Sequence, residues 1–354
     1  MSAPEETAVV TAEALKRFTG QVFVRTGMSG RDAAIVADAL VWANLRGVDT
    51  HGVARIPRYV ELIEIGDMNP RAAIAIRVET AASVLIEANR AAGPVAMTLA
   101  TSEAVRKARE AGIGAAFVRG TTHTAALGCY TLAAAEQGMA AIAVSASSPN
   151  MAYHGARAAG VSTNPISIAA PGGEGPALVL DMATGVVSMG RLAQARRTGE
   201  AIPAGWALDA KGNPTTDSRA AQIPLPMAGP KGSGLSLMIE CLASLLASNP
   251  LLAETLEGTA EGRRHRQNGL VIAVDPAKFG DPERFAREVN RLAKALKSLP
   301  ADPEAGGILL PGERGRRTLA ERSRNGIPIP RAVHDELSAV ANRLGVEMFK
   351  WGSR

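Results

Sequence analysis

The sequence predicts an α/β protein whose centre is flanked by two helical ends. Three observations carry this. Residues 11–66 place apolar side chains at helical spacing. From Pro94 onward, short apolar strands alternate with helices. Residues 281–354 turn helical and amphipathic again, which predicts that they fold back on the amino-terminal helices. The expected organisation is a helical unit of residues 1–75, completed by about 281–354, around an α/β unit of residues 76–280.

The elements follow in order. TAEALKRFTGQVFVRTG carries the first apolar helical stripe, and Ser29 can cap GRDAAIVADALVWANLRG, which Gly47 closes. RIPRYVELIEIG makes a short third helix ending at Gly66. AAIAIRVET and ASVLIEA read as strands. Pro94 suits the first turn of a helix that closes at Gly112. IGAAFVR is the next strand, then a helix around CYTLAAAEQG, then MAAIAVSAS, ISIAAP and ALVLDMA as strands. A helix over 185–199 leads into the Pro/Gly-rich loop IPAGWALDAKGNPTTD. Another helix runs from about Lys231 to Ala247, and GLVIAVDP is a late strand.

Composition narrows the function. The chain has 354 residues, 46% hydrophobic and 21% charged, which is material for a large core. Aromatics are only 3%, too few for the stacking platforms of a single-strand nucleic-acid binder. A net charge of +5 is the only feature that speaks for polynucleotide binding. The late arginines 263, 264, 266, 314, 316, 317, 322 and 324 read first as a solvated face and second as a site for a small anion. Cys129 and Cys241 form neither a disulfide framework nor a metal set, and no metal is expected. MSAPEETAVV lacks the pattern of a secretory leader, and the most apolar helix is too short to cross a bilayer. A reducing, cytoplasmic setting is expected, with no membrane and no nucleic acid as partner.

No common nucleotide motif is present. GIGAAF has Phe117, and KGSGLSL has Leu237, where the third glycine of G-x-G-x-x-G belongs. What remains is a set of polar residues at strand ends and glycine-rich turns. RGVDTHGVAR holds one of five histidines, His51, after the Thr50 hydroxyl and four residues before Arg55. It is either a surface turn or a proton donor beside a carboxylate clamp. RGTTHTAALG follows a strand and precedes a helix, where main-chain amides can cradle phosphate. GVSTNPIS sets Thr163 and Asn164 before a strand, and PKGSGLSL opens a helix with Lys231.

The sequence resembles the malate/L-lactate dehydrogenase family of non-Rossmann NAD(P)-dependent oxidoreductases. That family includes malate, sulfolactate and ureidoglycolate dehydrogenases and a piperideine/pyrroline-2-carboxylate reductase. The match covers nearly the whole chain, in order, through RGVDTHGVARIPRYVELIEIGDMNP, RGTTHTAALG, GVSTNPISIAAP, LDMATGVVSMGR, IPAGWALDAKGNPTTD, PKGSGLSL and LPGERG. The resemblance implies a non-Rossmann nucleotide-binding α/β domain, a helical domain made of both chain ends, and a homodimer. It implies a catalytic group of Thr50, His51 and Arg191, with Arg55, Thr163 and Asn164 binding substrate. It places the cofactor on His123, Thr124, Ala125, Ala126 and Leu127, on Asp181, Met182 and Ala183, on Met189 and Gly190, on Lys231, and on Gly312, Arg314 and Arg316. Thr50 stands where the family usually has serine, and Thr124 where phenylalanine is common. Arg191 stands where the imine reductases carry aspartate and many hydroxyacid dehydrogenases carry lysine. HTAAL and YHGAR look closer to the imine branch.

The chemistry fits the residue types. Hydride addition to a 2-oxo acid builds negative charge on the carbonyl oxygen, and a histidine can protonate it near neutral pH. Arg55 can grip a carboxylate with two parallel hydrogen bonds, which a lysine cannot reproduce. The expected function is hydride transfer between nicotinamide and a 2-oxo/2-hydroxy acid. The cofactor is NADP or NAD, with NADP favoured because Arg314, Arg316 and Arg317 follow the LLPG turn and a 2′-phosphate needs such cations. Two alternatives stay open: an NADPH-dependent cyclic imine reductase, and a non-enzymatic nucleotide-binding protein on the same scaffold. An arginine at 191 would repel a protonated imine and favour open-chain 2-oxo acids.

Overall fold

The computed structural model describes residues 7–302, 304 and 306–349. The chain opens with a strand, β1 (Thr7–Val10), and three helices, α1 (Ala12–Arg25), α2 (Gly30–Leu45) and α3 (Ile56–Glu64). Thr11 and Ser29 cap α1 and α2 by accepting from Ala14 N and Asp32 N. The α/β part follows as β2 (Ala75–Glu79), β3 (Ser83–Glu87), α4 (Gly93–Ala111), β4 (Ile113–Thr121), α5 (Gly128–Ala135), β5 (Ala140–Ser147), the short pair β6 (Met151–Ala152) and β7 (Ala159–Val161), β8 (Ile166–Ala170) and β9 (Leu178–Met182). Next come α6 (Met189–Thr198), a small sheet of β10 (Ala207–Leu208), β11 (Pro214–Thr215) and β12 (Ile223–Pro224), and α7 (Pro230–Glu240), which runs on as a π-helical turn through 245. The remainder is α8 (Leu252–Leu256), β13 (Gln267–Val274), α9 (Pro282–Lys297), α10 (Glu313–Asn325), β14 (Ile327–Pro330) and α11 (Arg331–Leu344).

Seven strands form one sheet in the order β2-β3-β4-β13-β5-β8-β9. Among the described residues its only parallel pair is β3–β4, joined by the crossover helix α4. Every other neighbour is antiparallel. A doubly wound Rossmann sheet is parallel throughout, so the missing glycine fingerprint and the topology agree. Helices α4 and α5 cover one face with a core of Met97, Ala104, Ala116, Val118, Tyr130 and Val271. Helix α7 covers the other through Ile239 and Ala243 on Val144 and Leu270.

A separate apolar core joins the two ends of the chain. Leu15, Phe18, Phe23, Leu40, Ile56, Tyr59 and Leu62 pack with Ile327, Ile329, Leu337 and Val340. Burying each of those last four is worth roughly 1.5–3 kcal/mol. The ends also share a feature absent from the helical expectation: β1 pairs antiparallel with β14, from Thr7–Pro330 to Val10–Ile327. Helix α9 lies elsewhere. Its Asn290 donates to Gly172 O, and Lys297 Nζ lies 3.0 Å from Glu313.

The register brings one end of the sheet into line. Gln267 pairs with both Thr121 and Ser147, Val144 with Ile166, and Ile166 with Met182. The segments 122–127, 163–165 and 183–188 therefore all leave the sheet at the same end.

Candidate active site

Between α2 and α3 the chain makes two 3₁₀ turns, Asp49–His51 and Val53–Arg55. Asn44, at the end of α2, ties both: its Nδ2 donates to Asp49 Oδ1 at 2.6 Å and its Oδ1 accepts from Val53 N at 2.8 Å. Its amide lies so close to Gly52 that a Cβ there would stand 2.1 Å from Asn44 Oδ1, so only glycine fits. From the far end of the sequence, Arg322 on α10 grips Asp49 with two hydrogen bonds of 2.7 and 3.0 Å. The turn carrying Thr50 and His51 is thus held by both chain ends.

Within that turn Thr50 Oγ1 lies 3.0 Å from His51 Nδ1, and Arg55 Nε donates to Thr50 O at 2.7 Å. Burial first, and the Arg55 charge second, push the His51 pKa down to about 4. The imidazole is therefore neutral at pH 7, with Nδ1 engaged by threonine and Nε2 left for another partner. Arg55 spends only its Nε. Among the described residues no carboxylate meets its terminal nitrogens, and the nearby cations are Arg197 and Arg58. Burial, then those two charges, hold its pKa below the ordinary value. An anionic ligand would relieve that arrangement.

His123 joins this group from the sheet end. Its ring stacks on His51 with centroids 5.5 Å apart and planes 27° from parallel. The fully buried Tyr59 fixes it, its hydroxyl lying 2.8 Å from His123 Nδ1 and donating to His123 O at 2.9 Å. Ala125 N–H also points at Nδ1, at 3.3 Å, which suits a neutral ring protonated on Nε2. Burial, with Arg55, His51 and His265, keeps the His123 pKa well below its usual value. His265 itself is pushed down to about 4 by burial and Arg58. The site is a cluster of neutral imidazoles around the Arg55 guanidinium, which no carboxylate meets among the described residues; Arg58 and Arg197 are paired with Glu61 and Glu336.

The other expected residues fall into three places. Helix α6 begins directly on Thr50: a Cβ on Gly190 would lie 2.5 Å from Thr50 Cβ. Met189 packs into the small core beneath α6. Arg191 does not join His51. One residue on from Gly190, it is turned about 100° around the helix, and its guanidinium lies 3.6 Å from Glu200 at the surface. Thr163 is placed by its main-chain N–H, which donates to Asn150 Oδ1 at 3.0 Å. Asn164 is fully buried; its amide holds Ser147 N and Ser236 O, so it shapes the strand ends and has no surface to offer substrate.

Of the 123–127 segment only His123 exposes much surface; Thr124, Ala125, Ala126 and Leu127 are buried. Tyr130 pins the turn by donating to Thr124 O at 2.7 Å. Asp181 Oδ2 accepts from Gly128 N at 2.7 Å, and Met182 and Ala183 continue that edge, half-buried. The turn before Lys231 is hung on the same edge, Met227 N donating to Thr184 O at 2.9 Å, with Lys231 exposed. Gly312 sits beside β9, where Val179 N donates to Pro311 O at 3.3 Å. Arg314 is exposed, Arg317 pairs with Glu313, and Arg316 turns inward. The two cysteines are half-buried and unbridged.

Comparison with known proteins decides the relationship. The malate/L-lactate dehydrogenase family model matches residues 10–338. The chain belongs to the malate/L-lactate dehydrogenase family. A malate dehydrogenase of Pyrococcus horikoshii is 37% identical over 348 residues, 96% of this chain and 96% of that one. A Δ1-pyrroline-2-carboxylate/Δ1-piperideine-2-carboxylate reductase of Pseudomonas putida is 32% identical over 351 residues, 98% of this chain and all of that one. The solved structure of malate dehydrogenase from Pyrococcus horikoshii superposes with a TM-score of 0.88 at 33% identity, covering 99% of both chains. This family member is an oxidoreductase of the dehydrogenase class, served by a nicotinamide cofactor. No described helix is long and apolar enough to cross a membrane.

Four residues of the site escaped the sequence. Tyr59 read as one more apolar position of α3. Asn44 read as part of α2. Arg322 and His265 lay inside runs that read as a solvated basic face. The available signal was histidine scarcity: three of the five histidines, 51, 123 and 265, meet here.

Proposed function

We propose that this dehydrogenase interconverts 2-oxo and 2-hydroxy acids, with His51 as proton donor and acceptor and Arg55 as the carboxylate clamp. The observation that carries the reading is Arg55, fixed through Nε to the carbonyl of Thr50 with its two remaining nitrogens unspent beside His51. When bound, the nicotinamide supplies or takes the hydride at the substrate carbon. In reduction the carbonyl π pair moves to oxygen, and His51 Nε2 gives that oxygen its proton. Thr50 then holds the neutral ring with its proton on Nδ1. In oxidation the same Nε2 lone pair takes the proton back. Arg55 orients the carbonyl by holding the neighbouring carboxylate in a two-point grip. Thr163 and Lys231, at the same sheet end, complete the substrate and cofactor sides.

The rival substrate is a cyclic imine, which reacts as a cation. Arg55, whose terminal nitrogens meet no carboxylate among the described residues, makes its site electropositive; Arg58 and Arg197 lie near but pair with Glu61 and Glu336, and Arg191, paired with Glu200, adds no negative charge. We expect kcat/KM for open-chain 2-oxo acids to exceed that for piperideine- or pyrroline-2-carboxylate by at least about tenfold, the effect of ~1.4 kcal/mol. Steady-state assays of both classes with NADPH and NADH test this. A preference for the cyclic imine would overturn it.

The working form is a homodimer in the cytoplasm. Met238, Leu242, Leu245 and Leu246 stand exposed on α7 and its π-helical extension, an apolar surface that a monomer has no use for. Sedimentation equilibrium should give twice the 36.7 kDa chain mass. A Leu242→Glu/Leu246→Glu variant should dissociate. A single-chain mass for the native protein at micromolar concentration would refute the dimer.

A further inference from the structure

Where α2 ends and α10 begins, two arginines lie close enough to repel each other, and neither makes an ion pair with a described carboxylate. Arg46 Nε and Arg316 Nη1 are both buried, and no described residue accepts a hydrogen bond from either. Arg46 lies with its guanidinium carbon over the Trp42 ring, 4.8 Å from its centre. Gly315 packs against it, a Cβ there standing in ordinary contact 3.5 Å from Arg46 Cβ. The Arg46 pKa is lowered by burial first; Glu136 partly offsets this, and Arg316 adds to it.

The acidic neighbours do not account for the pair. Glu313, on the same turn of α10, is spent on Lys297, Arg317 and Leu310 N. Asp181 is held by Gly128 N. Glu136 is exposed. Neither Asp181 nor Glu136 makes an ion pair with Arg46 or Arg316 among the described residues. A buried donor without an acceptor on each of two neighbouring guanidinium groups, both half-buried, suits an oxyanion that can accept from both at once.

The place fits one end of a dinucleotide. Trp42 Cη2 lies 3.2 Å from where a Cβ on Gly128 would be, and Gly128 opens α5 directly after the turn that carries His123. The Gly312 turn runs along β9 on the other side. The linking diphosphate of a dinucleotide has one charge per phosphorus and is served by main-chain amides. A phosphate monoester has nearly two charges at pH 7 and needs paired cations.

We propose that Arg46 and Arg316 form the site for the 2′-phosphate on the adenosine ribose of NADP, and so select NADP over NAD. The proposal rests on the nicotinamide reading and adds to it the identity of the cofactor. Arg46 is the member that no motif pointed to. Arg316 contributes from the other chain end, so the site exists only when α10 docks on α2.

Binding of the free cofactors to the full-length protein tests it without turnover. Isothermal titration should give a Kd for NADP+ about 10–100-fold below that for NAD+, the range expected of charge-assisted hydrogen bonds. Arg46→Gln and Arg316→Gln should each weaken NADP+ by about tenfold or more and leave the NAD+ Kd within about twofold. The retained NAD+ affinity reports that each variant is folded. Equal wild-type affinities would overturn the proposal and leave the nicotinamide reading intact. Equal loss of both dinucleotides in the variants would overturn it by assigning the pair to the diphosphate. If neither dinucleotide binds, both readings fall.

Discussion

Replacing His51 by alanine should lower kcat for 2-oxo acid reduction by about 10²–10⁴-fold, the usual contribution of a positioned general acid. The Kd of the cofactor should stay where it was. The expectation follows from how the ring is held. Thr50 Oγ1 takes Nδ1, the stacked His123 ring limits rotation, and Nε2 is the one nitrogen left to exchange a proton. Rapid-mixing measurement of a single turnover isolates the chemical step from product release. Wild-type single-turnover rates in His51→Ala would remove His51 from the mechanism.

Arg55→Lys should be nearly as damaging, although it conserves charge. The guanidinium does two things at once. Its Nε donates to Thr50 O and braces the turn that carries His51, while its terminal nitrogens meet no carboxylate among the described residues and stay available as a fork. An ammonium can do one of these, not both. Losing a charge-assisted pair costs about 3 kcal/mol, or about 10² in kcat/KM. Because the brace is lost too, kcat falls along with the rise in KM. Steady-state kinetics across a range of 2-oxo acid concentrations separates the two. A variant with unchanged kcat and only a raised KM would leave Arg55 as a clamp but not as a brace. A variant with wild-type kcat/KM would dismiss it from the site.

Much of the fold could be read from the chain because local pattern and tertiary role agree in it. Ser29 caps α2, Pro94 opens α4, and the strands Ile113–Thr121 and Ala140–Ser147 fall within two residues of where periodicity puts them. The pairing of β1 with β14 was not legible, since four-residue strands more than 300 positions apart leave no local trace. The antiparallel sheet order was equally hidden: strand spacing is the same whether β13 inserts between β4 and β5 or stays at an edge.

The site divides in the same way. Thr50, His51 and Arg55 lie within six residues, so their spacing alone brings them together. Arg191 went astray because a motif fixes a position, not the direction a helix gives it; Gly190 takes the face toward Thr50 and Arg191 the face toward Glu200. Asn164 looked like a ligand for the opposite reason. A polar residue at a strand end is as useful for stitching main chain, and here both ends of its amide are used that way. Tyr59, Arg322 and Arg46 act across the chain, on His123, Asp49 and the Arg316 side of α10, and sequence distance concealed them.

The central claim is that Arg55 and His51 work as a coupled pair, the one holding the carboxylate that sets the proton affinity of the other. The pH dependence of reduction measures this most directly. Without substrate, burial and the Arg55 charge keep His51 near a pKa of about 4. A carboxylate on Arg55 cancels the second of these causes, so the His51 pKa must rise when substrate binds. Reduction needs the protonated ring, so its rate falls as pH rises through the governing pKa. The profile of kcat/KM reports the site before 2-oxo acid binds, and that of kcat reports it afterwards. The account predicts that kcat for 2-oxo acid reduction declines above a pKa at least about one unit higher than the pKa governing kcat/KM. Coincident pKa values in the two profiles, or a reduction rate that does not decline with rising pH, would contradict it.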